Sequence, residues 1–265
     1  MKIGICSQIE NAEIIQAAGA DYIEVSVPHC LKPKEDQAAF GPSLALAETC
    51  PLPISAANGF IPGDLKSTGP DYNPKGVLEY AAVAFERAKQ VGITCIVFGS
   101  GGSRELPDGF TQAEAFTQFT ELLSQMGPLA ASQGVTVVVE PLGPECNFIR
   151  SLDEGAAAVH KADHPNIRLL ADTFHMIRID EPADKITPVI RLIDHVHMEL
   201  KSAHGEVRAE ARPCPRSLLR ADEVRFREPH VHDERAVRVP LIESGYAPQH
   251  RRRTVSLRTI CWREA

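Results

Sequence analysis

The chain has 265 residues, 43% of them hydrophobic, and a formal net charge of −7 at pH 7. Such a length suits one (β/α)8 barrel, with a core large enough to need no disulfide or metal staple. No apolar run approaches the roughly 20 residues that cross a bilayer, and the acidic balance argues against nucleic acid as the main partner.

The N-terminal MKIGIC enters a strand directly, over residues 2–6, so no signal peptide is expected. Ala12–Ala18 suits a helix that Gly19 can stop. Asp21–Val27, DYIEVSV, alternates and is β-branched, which predicts strand two with Glu24 in its middle. Ser43–Thr49 suits a short helix and Leu52–Ala56 a third strand. After the polar loop 58–74, Lys75–Gln90 is amphipathic, with Pro74 suited to its first turn. Ile93–Phe98 predicts strand four, followed by the glycine-rich loop GSGGSRELPDGF.

Thr111 with Glu114 reads as a capping box before a helix whose apolar face is Phe116, Phe119, Leu122, Leu123 and Met126. Gly134 ends it, and VTVVVE, residues 135–140, predicts strand five. Ser151 with Glu154 is a second capping box, IRLLAD (167–172) strand six, Glu181–Val189 a short helix, and residues 192–198 strand seven. Strands alternating with helices imply a parallel sheet, and eight units would close a TIM barrel. An open dinucleotide-binding sheet would want a GxGxxG after strand one, and none is present.

Beyond Leu200 the period fades. Residues 1–201 hold 15 basic and 26 acidic residues, whereas 202–265 hold 13 basic, all Arg, and 9 acidic. A basic surface near the C-terminus explains this, and so does a tail of different origin, for example through a shifted reading frame. The chain is read as one domain over 1–265 with an atypical, irregular 202–265, and Val255–Ile260 as the closing strand. Seven scattered cysteines without a CxxC read as reduced thiols in a cytoplasmic protein.

Strand C-termini meet at one mouth of a parallel barrel, where barrel enzymes place their reactive groups. Glu140 ends strand five there, with Glu145 in the loop behind it. Asp172 ends strand six; an Asp there also suits a helix N-cap, but His175 follows three residues later. His195 and His197 share a strand face, and only His197 should reach the mouth. Glu140, Asp172 and His197 together would make an O/O/N site for a divalent metal. Arg104, in the glycine-rich loop, could hold a phosphate or carboxylate or could be a solvated surface residue; Lys66 is weaker in the same role.

The segments GADYIEVSVP, NGFIPGDLKSTGP, VFGSGGSRELPDGF, VVVEPLGPECNFI, LLADTFHM and HVHM resemble the sugar phosphate isomerase/epimerase group of xylose isomerase-like TIM barrels. The resemblance spans residues 1–200. It implies a divalent metal, commonly Mn²⁺, Mg²⁺ or Co²⁺, with Glu140, Asp172 and His197 as ligands. It also implies His175 and Glu145 as substrate-binding residues, and Glu140 as one of two acid/base groups. A fourth ligand, a Glu at the end of strand eight, is implied too. Here VSLRTICW places Arg258 at that position, and an Arg cannot ligate a cation. An Arg that the family carries after the strand-seven His is replaced by Ala203.

The expected function is isomerisation or 3-epimerisation of a sugar or sugar phosphate through a cis-enediolate, with no nucleic acid or membrane partner and a homo-oligomer left open. A catalytically dead barrel that binds a sugar or partner is the alternative. A keto-polyol dehydratase and, lower, a DNA-repair endonuclease are the others.

Overall fold

The computed structural model describes residues 2–198 and the strand 260–263. Strands β1 (Lys2–Cys6), β2 (Tyr22–Ser26), β3 (Ile54–Asn58), β4 (Cys95–Phe98), β5 (Thr136–Val139), β6 (Ile167–Asp172), β7 (Ile193–Met198) and β8 (Ile260–Arg263) form a closed barrel in sequence order. Helices α1 (Ala12–Ala17), α2 (Gln37–Glu48), α3 (Pro74–Val91), α4 (Gly101–Arg104), α5 (Gln112–Ser132), α6 (Leu152–Ala162), α7 (Thr173–Arg178) and α8 (Ile186–Val189) fill the connections.

β1 to β7 pair in parallel, each with the next, as the βα alternation predicts. The eighth strand departs from the expectation. It covers Ile260–Arg263 rather than Val255–Ile260, and it runs antiparallel to both neighbours. Ile260 therefore stands level with Met198, and Arg263 beside Lys2. Closure leaves neither β1 nor β7 with a bare edge. Arg258, Ala203 and the expected irregularity of 201–235 lie outside the described residues.

Strand alternation divides the side chains into two sets. Ile23, Val25, Ala57, Ile96, Val137, Val139, Leu169 and Ala171 join the core between sheet and helices. Tyr22, Ala56, Cys95, Val97, Val138 and Leu170 form a separate buried cluster inside the barrel. Helix ends follow local chemistry. Ser151 and Glu154 make the full reciprocal capping box that opens α6. At α5 only half forms: Thr111 accepts from the Glu114 amide, while its hydroxyl donates to the Glu114 carboxylate at 2.7 Å. α2 begins earlier than Ser43 because Asp36 caps it, accepting from the Ala39 amide.

Candidate active site

The inner positions of the strands end in polar residues. Glu24 lies two residues after Tyr22, Asn58 after Ala56, Glu140 after Val138 and Asp172 after Leu170, so each shares the inner face of its strand. On β7, His195 stands opposite Leu170 and His197 opposite Asp172. The result is an apolar layer surmounted by a ring of carboxylates, imidazoles and an amide at the mouth.

His197 is the hub. Its Nδ1 lies 3.1 Å from Glu140 Oε1 and 4.0 Å from Asp172 Oδ2, and its Nε2 lies 3.1 Å from Glu24 Oε1. The second oxygen of Glu24 accepts from His195 Nε2 at 2.9 Å, and the Asn58 amide donates to Oε1 at 2.8 Å. Burial alone would push the His197 imidazole down. The charge of Glu24 and the hydrogen bond to Glu140 outweigh it and hold the ring well above its ordinary range. Burial likewise pushes both Glu24 and Glu140 up, but the imidazoles win and keep both below the usual carboxylate range.

Asp172 serves two neighbours at once. Its Oδ1 accepts from the Phe174 amide at 2.7 Å, which caps α7, and its Oδ2 lies 3.7 Å from His175 Nε2. Burial and the adjacent Glu140 charge push its carboxyl up to about 6. His175 is held from behind: its Nδ1 lies 3.1 Å from Glu145 Oε2, and Arg178 pairs with the other Glu145 oxygen at 3.0 Å. Arg178 also sits over the Phe174 ring, 5.5 Å from its centroid.

The structure therefore brings together Glu140, Asp172, His197, His175 and Glu145. It keeps Arg104 apart. Arg104 is fully buried on α4, and its guanidinium donates to the backbone carbonyls of Phe98 and Glu140. It also lies over the Phe119 ring. The solvated reading does not survive this placement: the side chain turns under the loop and braces the backbone from which Glu140 projects. Lys66, the weaker candidate, donates to the Gly102 carbonyl. Next to Glu140 stands Gly99, where a Cβ would come within 2.2 Å of Glu140 Oε2. The carboxylate occupies the space that this missing side chain leaves.

A match to the family described as xylose isomerase-like TIM barrel runs over residues 12–231, most of the chain. The chain belongs to that family. Among solved structures, this xylose isomerase-like barrel resembles 3-keto-D-glucoside 4-epimerase from E. coli at 20% identity and a TM-score of 0.63, over 75% of this chain and 79% of that one. D-psicose 3-epimerase with D-tagatose from Clostridium cellulolyticum H10 matches at 19% identity and 0.63, over 75% and 73%. The IOLI protein with a binding zinc atom matches at 18% identity and 0.52, over 70% and 68%. These likenesses concern the fold. No curated protein sequence matches the chain.

The donor set of this family member suits a divalent cation. Ligand atoms of Glu140, Asp172 and His175 all lie within 4.8 Å of one another, and His197 Nδ1 faces the same two carboxylates. Two carboxylates crowded closely enough to raise Asp172 are the arrangement that a cation relieves. A second such group, Cys6, Glu24 and His197, lies on the other side of the imidazole. Glu24 is the site residue whose role the sequence reading left unassigned. Its signal was parity: it stands two residues after an inward Tyr22, as Asp172 does after Leu170.

Proposed function

We propose that the chain is a sugar or sugar-phosphate isomerase or 3-epimerase that depends on a divalent cation and works through an enediolate. The convergence of Glu140, Asp172, His197 and His175 at the barrel mouth carries this reading. Glu140, Asp172 and His197 would hold Mn²⁺, Mg²⁺ or Co²⁺. When bound, the cation would polarise the oxygens of a hydroxy-ketone. Glu140, kept ionised by its contact with His197, is placed to take the proton from the carbon beside the carbonyl. His175, oriented by Glu145 and Arg178, is the hydrogen-bonding partner for a substrate oxygen.

The resemblance of the fold to sugar epimerases supports this choice among the chemistries that such barrels host. No helix of the described residues is long and apolar enough to cross a membrane, and we take the enzyme to be cytoplasmic, with a small carbohydrate as its partner.

The test is solvent exchange. Protein stripped of metal and reloaded with Mn²⁺ is incubated in D₂O with a panel of ketoses and ketose phosphates. Deuterium at the carbon beside the carbonyl is then read by mass spectrometry. Exchange with at least one sugar is expected, abolished by chelator and by Glu140→Gln. Loaded protein that binds sugars yet neither exchanges nor converts any would be a binding barrel instead. Loss of water from a cyclic keto-polyol would mark the dehydratase.

A further inference from the structure

Glu24 has no part in the chemistry just described, yet it is a fully buried carboxylate in the middle of the barrel. Such a charge is costly unless every lone pair finds a donor. Here the donors are His195, Asn58 and the Nε2 side of His197. His195 is itself fully buried, and its Nδ1 has no hydrogen-bond partner among the described residues. Nε2, directed at Glu24, is therefore the ring nitrogen that His195 uses among the described residues.

Asn58 donates to one Glu24 oxygen and His195 Nε2 faces the other, so both oxygens act as acceptors and the His197 nitrogen between them is the donor. Nδ1 faces Glu140 and Asp172, and it is the nitrogen that would give up its proton to a cation held by those two carboxylates while Nε2 stays on Glu24. We propose that Glu24 is a positioning residue for the metal centre: it fixes His197 with the proton on Nε2 and aims Nδ1 at a cation shared with Glu140 and Asp172. His195 and Asn58 hold Glu24 in turn. A carboxylate behind a ligand histidine sets the ring's tautomer and orientation and raises its basicity. The three-residue chain Glu24–His197–Glu140 crosses the barrel from β2 to the end of β5 through one imidazole. This inference rests on the cation reading above, and the experiment separates the two.

Metal-free protein labelled with ¹⁵N-histidine is titrated with zinc. Imidazole nitrogen spectra then show which His197 nitrogen binds. Metal on Nδ1 with a proton on Nε2 is the expected result. Zinc on Nε2 would place the ion beside Cys6 and Glu24 and would overturn the proposal. Zinc affinity is next measured by competition with a chelator. Glu24→Gln should weaken it by about 10–100-fold, with far-UV circular dichroism confirming the fold. Should that variant fail to fold, Asn58→Ala, at a half-buried position, should weaken zinc a few-fold by loosening Glu24. Wild-type affinity in the folded variants would remove the positioning role and leave the centre standing. A wild-type protein that takes up no zinc or manganese would remove the centre itself.

Discussion

His197 separates two layers of negative charge that are met in opposite ways. Below it, Glu24 is sealed from solvent and ringed by N–H donors from His195, Asn58 and His197. Its charge is satisfied within the fold. Above it, Glu140 and Asp172 share the Nδ1 side of one imidazole and the edge of His175, and burial together with the Glu140 charge raises Asp172 to about 6. The lower layer is a finished network, whereas the upper one keeps more anionic charge than its donors match. Buried charge in this barrel is thus of two kinds: one is met by donors of the fold itself, and the other is where the proposed cation and substrate would sit.

The largest expected effect falls on the upper layer. Glu140→Gln keeps the shape and the Arg104 brace but removes the proposed base, so turnover on whichever sugar shows exchange should drop by about 10²–10⁴-fold. A steady-state assay at saturating metal reads it, and unchanged turnover would move the base elsewhere.

The next test uses pH. In metal-free protein the folded Asp172 keeps its proton to about pH 6, while the unfolded chain releases it near the ordinary carboxyl value of 3.8. Between those values the folded state binds more protons, so stability falls as pH rises. Asp172→Asn keeps the cap acceptor and removes the titration. It should therefore gain on wild type by up to about 3 kcal/mol between pH 4 and pH 6. Urea unfolding in the presence of chelator measures the gap, and saturating cation should close it. A constant gap across that window would mean that burial and the Glu140 charge do not hold Asp172 up.

Arg104→Met tests the brace beneath the upper layer. It would strip donors from the buried carbonyls of Phe98 and Glu140 at about 1–3 kcal/mol, partly offset by an apolar fit against Phe119. Thermal unfolding should show the loss, whereas KM for phosphorylated and unphosphorylated sugars should shift together. A loss confined to phosphorylated sugars would support Arg104 as a phosphate ligand. Gly99→Ala is the gentlest perturbation. A Cβ at that position pushes the Glu140 carboxylate aside at about 1–3 kcal/mol, or less if the side chain swings away. The variant's metal affinity, measured beside its melting temperature, separates displacement from unfolding.

Much of this was legible in the residues. β6 runs over Ile167–Asp172 as read, because an apolar stretch bounded by Pro165 and by a capping Asp leaves little choice. The Ser151–Glu154 box was visible for the same reason, since capping is local chemistry. What escaped was non-local. Arg104 sits in a glycine-rich loop that resembles an anion cradle, and only the fold reveals that two carbonyls and an aromatic ring claim the guanidinium first. Glu24 stood alone in an apolar strand because two of its partners, His195 and His197, are more than 170 residues away on β7. The direction of β8 depends on how the chain returns to the barrel, which hydrophobic period alone does not encode.

Asp172 couples two jobs that most proteins separate. One oxygen begins α7 and the other looks into the mouth, and α7 carries both His175 and Arg178. Anything that pulls on the outer oxygen is therefore transmitted to the first turn of the helix that presents the other side of the site. A ligand arriving at Asp172 would tighten the very segment that contacts the rest of that ligand. Occupancy and order of this rim should rise together, in a single cooperative step rather than two.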